Sequence, residues 1–255
     1  MTLQIQPVPC LSDNYAWLLS EPSSGAVAIV DPSEARPVIA RLDALGWRLS
    51  HILNTHHHPD HVGGNLELKT RYGATVVGPR ADRARIPGID VDVAEGETYA
   101  LGEAKARIFD IPGHTRGHIA FWFADSKALF CGDTLFLMGC GRLFEGTPAQ
   151  MWNSLSKFRR LPDDTRIYCG HEYTQSNARF ALTVDPTNAT LRARADEVAR
   201  LRDAGAPTVP GTLGEEWATN PFLRADRPEL AAAVDRPAND PVAVFAEIRA
   251  RKDRF

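Results

Sequence analysis

Residues 55–61 read Thr-His-His-His-Pro-Asp-His and run directly into Val62, Gly63 and Gly64. Four of those seven residues are imidazoles and one is a carboxylate. An ordinary apolar core does not tolerate that density, because imidazole is polar, titrates near neutrality and is the commonest protein ligand for transition metals. The run therefore predicts a metal site, held where a strand gives way to a turn.

Three further segments offer ligands of the same chemistry. His114 lies in Pro112-Gly113-His114-Thr115-Arg116-Gly117-His118, Asp133 in Cys131-Gly132-Asp133-Thr134, and His171 in Cys169-Gly170-His171-Glu172. Each follows a short apolar stretch and a glycine, the pattern that presents a side chain at a strand end through a tight turn. His56 and His58 are two apart, so an extended chain points both to one side and His57 to the other. Asp60 and His61 follow a proline-interrupted turn and can point elsewhere. His56, His58, Asp60, His61, His114, Asp133 and His171 make seven candidates. They are too many for one tetrahedral zinc and about right for two metals sharing a carboxylate. A zinc that merely ties loops together is disfavoured, since such sites prefer thiolates and the run contains no cysteine. His118 is kept as a supporting neighbour, and His51 reads as a satisfied core or surface histidine.

Charge bookkeeping links that site to hydrolysis. Two divalent cations against two carboxylates leave a net positive centre, which lowers the pKa of bound water to about 7 and stabilises an oxyanion. Asp60 and Asp133 are the expected catalytic carboxylates, acting with the metal-bound hydroxide. Zinc is the first choice of metal, with iron and manganese open, since all accept histidine and oxygen ligands.

Alternating strand and helix signals fill the first part of the chain. Strands are predicted at 15–19, 26–30, 51–54, 75–78, 106–111, 119–123, 128–131 and 166–169, and helices at 37–45, 66–72 and 150–161. Beyond His171 the signals are helical, at 177–184, at 189–204 ending before Gly205, and after Asp240-Pro241, with no strand detected. The expected organisation is an α/β domain over residues 1–172 and a helical domain over 173–255. At 255 residues and a net charge of -3 there is no global pull toward nucleic acid, and no apolar run is long enough to span a membrane. Cys10, Cys131, Cys140 and Cys169 form no C-x-x-C pair and read as reduced, buried thiols, a catalytic thiol at Cys131 or Cys140 being the sharper alternative. With no secretory pattern at the N-terminus, these features predict a cytoplasmic protein, expected to be monomeric.

The metal run with His114, Asp133 and His171 resembles the metallo-β-lactamase fold family. Asp13-Asn14-Tyr15, residues 139–146 (Gly-Cys-Gly-Arg-Leu-Phe-Glu-Gly) and residues 169–174 (Cys-Gly-His-Glu-Tyr-Thr) extend the likeness to the hydroxyacylglutathione hydrolases, the glyoxalase II family. So do residues 207–210 (Pro-Thr-Val-Pro), 219–224 (Thr-Asn-Pro-Phe-Leu-Arg) and 249–253 (Arg-Ala-Arg-Lys-Asp). The resemblance implies an αββα sandwich with a C-terminal helical domain that helps hold glutathione. It implies one metal on His56, His58 and His114, a second on Asp60, His61 and His171, and Asp133 bridging. It also implies hydrolysis of S-(R)-lactoylglutathione to D-lactate and glutathione, part of methylglyoxal detoxification, with Arg142, Phe144, Tyr173, Arg249 and Lys252 lining the glutathione pocket. Some members carry tyrosine at the position of Phe144; phenylalanine keeps the apolar wall without the hydroxyl. The basic cluster Arg249, Arg251, Lys252 and Arg254 suits an anionic small-molecule substrate. The nearest rival is a persulfide dioxygenase of the same fold that uses a single iron. A lactamase or lactonase, and nucleic-acid processing by the same core, are set against the glutathione-pocket segments and the absence of an extended basic surface.

Overall fold

The computed structural model describes residues 2–255. The chain forms two compact units. One runs to Asp110 and resumes at Arg116–Gly132; the other takes Ile111–Thr115 and Asp133–Phe255.

The first unit contains β1 (Gln4–Cys10), β2 (Asn14–Glu21), β3 (Ala26–Val30), α1 (Ala35–Leu45), β4 (His51–Leu53), α2 (Pro59–Val62) and α3 (Asn65–Tyr72). It continues with β5 (Thr75–Pro79), β6 (Val91–Val93), β7 (Thr98–Leu101), β8 (Ala104–Asp110), β9 (Ile119–Phe123) and β10 (Ala128–Gly132). Strands β1 to β6 form one sheet in sequence order, antiparallel from β1 to β3 and parallel from β3 to β6. Strands β7 to β10 make an antiparallel meander.

Period-2 alternation divides the first sheet between two cores. Ala16, Leu18, Val27, Ile29, Ile52 and Val76 share a buried cluster with Val38 and Leu42 of α1 and Leu68 of α3. The intervening Trp17, Leu19, Ala28, Val30, Leu53 and Val77 are equally buried on the opposite face, where β3 lies against β7. A sheet covered on both faces explains why these strands read as nearly continuous apolar runs. Helix α1 stops where Gly46 takes a left-handed φ of 67° and its N–H reaches the Leu42 and Asp43 carbonyls.

The second unit contains β11 (Leu135–Phe136), β12 (Gly139–Cys140), α4 (Pro148–Lys157), β13 (Arg166–Cys169), α5 (Thr174–Val184) and α6 (Ala189–Asp203). Then follow β14 (Gly211–Thr212), α7 (Leu213–Thr219), α8 (Pro228–Ala233) and α9 (Pro241–Arg254). Ala178 and Ala181 of α5 pack with Leu191 and Val198 of α6 around Met138. Trp152 of α4 meets Phe245 of α9 at 6.3 Å, and Phe222 meets the same ring at 5.7 Å. Helix α4 begins at Pro148, two residues earlier than the apolar pattern predicts, because Thr147 and Gln150 close a capping box.

One expectation needs correction. The stretch after His171 is not free of strands: Gly211 and Thr212 form β14 and pair with Ile167 and Arg166 of β13. Two residues are too short to show alternation. Strand β1 was also not signalled, because Pro7 and Pro9 interrupt it; both are accommodated because β1 is an edge of its sheet. No helix among the described residues is long and apolar enough to cross a membrane. All four cysteines are buried and none is in a disulfide.

Glu21 closes β2 with a buried carboxylate that accepts the Ser24 hydroxyl at 2.6 Å and the Ser23 and Ser24 N–H groups at 2.9 and 2.8 Å. The Ser24 hydroxyl first, then the backbone N–H groups, hold its pKa down to about 2 from an ordinary 4.5. A depressed carboxylate contributes stability that is present above 4.5 and is lost as pH falls toward 2. Glu21→Gln is therefore expected to unfold at lower denaturant than wild type at pH 7, the gap closing near pH 2, as read from urea midpoints across pH.

Candidate metal centre

Strand β4 delivers the chain at Leu53 into Asn54, Thr55 and the histidine run. His58 is still extended, at φ -59° and ψ 143°, and Pro59 opens α2 immediately after it. Consequently His56 Nε2 and His58 Nδ1 lie 3.2 Å apart, while Asp60 and His61 ride on α2 with His61 Nε2 3.6 Å from Asp60 Oδ2. Asn14 Nδ2 donates to the Asp60 backbone oxygen at 3.2 Å and to Asp60 Oδ2 at 3.1 Å.

The ring orientations trace back to Asp31. Its Oδ1 takes the Thr55 N–H at 2.8 Å and its Oδ2 takes the Thr55 hydroxyl proton at 2.6 Å. Having given its one proton away, the Thr55 oxygen can only accept from His56 Nδ1, 3.0 Å distant. His61 Nδ1 lies 3.2 Å from the same Asp31 Oδ2 and donates to it. Both rings thus carry their proton on Nδ1 and turn the Nε2 lone pair outward.

In the second unit, His114 Nδ1 donates to the Arg142 carbonyl at 2.8 Å, which again leaves Nε2 as the lone-pair nitrogen. That nitrogen is 3.6 Å from Asp133 Oδ2, and His171 Nε2 is 3.2 Å from the same oxygen. His114, Asp133 and His171 are all buried. Gly141 keeps the set compact: a Cβ there would overlap the Asp133 carbonyl oxygen and stand 3.1 Å from His114 Nδ1.

In both sets, imidazole nitrogens face carboxylate oxygens, lone pair toward lone pair. Groups so arranged, buried in the second set and half-buried at Asp60 in the first, repel unless a positive charge lies among them, and the donors are those that divalent cations prefer. The residues therefore fit divalent metal binding.

The structure brings His56, His58, Asp60 and His61 together in one unit, and His114, Asp133 and His171 in the other. His57 turns away, as its spacing predicts, to Asp82 at 3.0 Å. His118 is buried and stacks on His56 at 4.5 Å. His51 pairs with the Ser50 hydroxyl at 2.7 Å. Sequence reasoning missed Asp31 and Asp82. Asp31 ends an apolar strand just as Asp133 does, yet no histidine beside it marked it.

The expected substrate contacts all lie in the second unit. Arg249 is buried, donating to the Cys140 carbonyl at 2.8 Å and pairing with Asp253 at 3.0 Å. Lys252 Nζ donates to the Ser176 carbonyl at 3.1 Å. Tyr173 stacks on His171 at 4.7 Å, and Phe144, an exposed aromatic, meets the His114 ring edge at 5.2 Å. Arg142 is largely exposed near Asp253. Burial pushes the Cys140 thiol up to about 11, which removes it as a nucleophile near neutrality.

Residues 12–171 match the metallo-β-lactamase superfamily model, and residues 172–255 match the hydroxyacylglutathione hydrolase C-terminus model. The chain is 61% identical to a hydroxyacylglutathione hydrolase of Methylococcus capsulatus, over 99% of both chains. It is 56% identical to one of Rhodospirillum rubrum, over 100% of this chain and 99% of the relative. Among solved structures it is similar in fold to ETHE1 from Myxococcus xanthus, with a TM-score of 0.70 and 23% identity over 98% of this chain and 90% of that one. TTHA1623 in a di-iron-bound form gives a TM-score of 0.62 at 26% identity, over 86% of this chain and 100% of that one. The fold is the metallo-β-lactamase α/β sandwich with a C-terminal helical domain.

Because Asp31 sets two ring tautomers at once, Asp31→Ala is expected to weaken zinc binding by about 10- to 100-fold with secondary structure retained. Competition against a chromogenic chelator, beside a circular dichroism spectrum, measures both.

Proposed function

The chain belongs to the hydroxyacylglutathione hydrolase family of the metallo-β-lactamase superfamily, and on that premise we propose that its two histidine–aspartate sets together form one binuclear centre. It is a thioester hydrolase acting on hydroxyacylglutathione. We assign His56, His58 and His114 to one cation, Asp60, His61 and His171 to the other, and Asp133 to both. The observation that carries this reading is the single Asp133 oxygen facing both His114 and His171, one imidazole from each assigned set. We take zinc as the first-choice metal, with iron and manganese also accepted by histidine and oxygen donors, and assign S-(R)-lactoylglutathione as the substrate, giving D-lactate and glutathione.

When bound, the cations supply Lewis acidity toward the thioester carbonyl and toward solvent. The chain's own residues do the rest. Asp31, through Thr55 and directly, fixes the protons of His56 and His61. Asn14 orients Asp60. Arg249, Lys252 and Arg142 offer charge to the carboxylates of glutathione, and Tyr173 and Phe144 offer ring faces to its backbone. The leaving group is a thiolate whose conjugate acid has a pKa of about 8.5, so departure needs little proton donation. We divide the roles between a catalytic domain over 1–172 and a glutathione-holding helical domain over 173–255. The buried cysteines, none in a disulfide, favour a reducing compartment such as the cytoplasm, and we expect a monomer. The single-iron dioxygenase reading would leave the Asp60, His61 and His171 donors without a use.

Thiol release from S-lactoylglutathione, measured beside the elemental content of the purified protein, tests the reading. About two zinc ions per chain and rapid release are expected; one bound metal with no thiol release would overturn it. His58→Ala and Asp133→Ala should reduce release to background while the circular dichroism spectrum stays native.

Lys252 titrates within reach of assay. Burial, then the charges of Arg249, Arg179 and Arg142, push its pKa down to about 8. The free enzyme therefore loses this positive charge as pH rises through that value. kcat/KM for the anionic substrate should fall above pH 8 through a rising KM. Lys252→Ala should show the high KM at every pH, and Lys252→Arg should keep the low KM to higher pH.

A further inference from the structure

Asp82 is tied to far more than its own turn. It lies in the 3-10 turn Arg80–Asp82 after β5 and is 2% exposed. Its Oδ2 is 3.0 Å from His57 Nδ1, and its Oδ1 accepts the Arg85 Nε–H at 3.0 Å and a second bond from Arg85 Nη2. Arg85 Nη1 stands 3.1 Å from His57 Nε2. A guanidinium can only donate, so His57 Nε2 accepts and the ring proton sits on Nδ1, aimed at Asp82. Carboxylate, imidazole and guanidinium close a cycle in which each donor and acceptor is fixed.

The cycle holds the ligand run from two sides. His57 lies between His56 and His58 in the chain, so anchoring its ring fixes the peptide from which both neighbours project. The same carboxylate presses against Gly117, where a Cβ would overlap Asp82 Cγ and both its oxygens. The next residue is His118, whose ring stacks on His56 at 4.5 Å with 14° between planes. Asp82 thus supports the His56 ring through its neighbour in sequence and through the ring stacked on it.

Resting on the binuclear reading above, we infer that Asp82 is a positioning residue: acting through His57 and through the Gly117–His118 turn, it holds His56 and His58 in the geometry that retains their cation. It touches neither metal nor substrate. Its removal should loosen metal retention and lower turnover without changing how well the glutathione thioester binds.

Asp82→Ala, Asp82→Asn, His57→Ala and the Asp82→Ala/His57→Ala double variant, each loaded with zinc, are challenged with excess chelator and followed by zinc release. Asp82→Ala should lose its faster-leaving zinc about 10- to 100-fold sooner than wild type. Its kcat should fall while KM stays within about twofold. Asp82→Asn keeps an acceptor for His57 but turns an amide toward Arg85, so its release should fall between the two. The double variant should be no worse than the worse single variant, because both act through one cycle. Wild-type zinc release in Asp82→Ala, even with a lowered melting temperature, would overturn the inference, as would fully additive single effects. If Asp82→Ala does not fold, Asp82→Asn and His57→Ala carry the same comparison. If wild type retained zinc but split no glutathione thioester, faster zinc loss in the variants would uphold the inference while removing the substrate reading.

Discussion

Imidazoles and carboxylates can share a buried site only if every ring has a defined proton and every carboxylate a defined partner, since an unsatisfied polar group out of water costs several kcal/mol. In the first unit that requirement falls on Asp31. It draws the Thr55 proton to itself, which obliges Thr55 to accept from His56, and it receives His61 directly. One carboxylate thereby decides which nitrogen of two different imidazoles is left to bind. The strand that carries Asp31 lies beside the strand that leads to the histidine run, in parallel register from Ala28↔His51 to Val30↔Leu53. Sheet pairing is therefore what brings the orienting group to the ligands.

The second unit solves the same problem differently. His114 is oriented by a main-chain carbonyl, and the close approach of Gly141 keeps side chains out of the space around Asp133. Helix α9 carries Arg249 and Lys252, and Tyr173 caps α5, on a helical scaffold packed through both aliphatic and aromatic contacts. The buried Arg249 donates Nη1 to the Cys140 carbonyl and pairs Nη2 with Asp253, which offsets part of the cost of holding its charge inside. Lys252 is crowded by three arginines, which is a costly arrangement for the free protein and a favourable one for an anion. Charge concentrated in this way is consistent with a ligand that carries two carboxylates.

Much of this was legible in the sequence because each signal is local. Four imidazoles within seven residues leave little room for a reading without a metal, and the glycine before His114, Asp133 and His171 marks each strand end. Strands at Ala26–Val30, Ile119–Phe123 and Arg166–Cys169 follow directly from apolar runs. Strand β1 was hidden by prolines that an edge position tolerates, and β14 by its two-residue length. His57 was set apart from the ligands by the alternation of an extended chain, but nothing local pointed to its partner 25 residues away.

By itself the amino-acid order determined the ligand chemistry, the alternation of strand and helix, and the family, since these depend on residue type and short spacing. Only the tertiary structure decided that Asp31 and Asp82 are the carboxylates that set ring protons and hold the run. The physical reason is distance along the chain. Asp31 reaches Thr55 across 24 residues through a parallel strand pair, and such a pairing leaves no periodic or compositional trace in either segment.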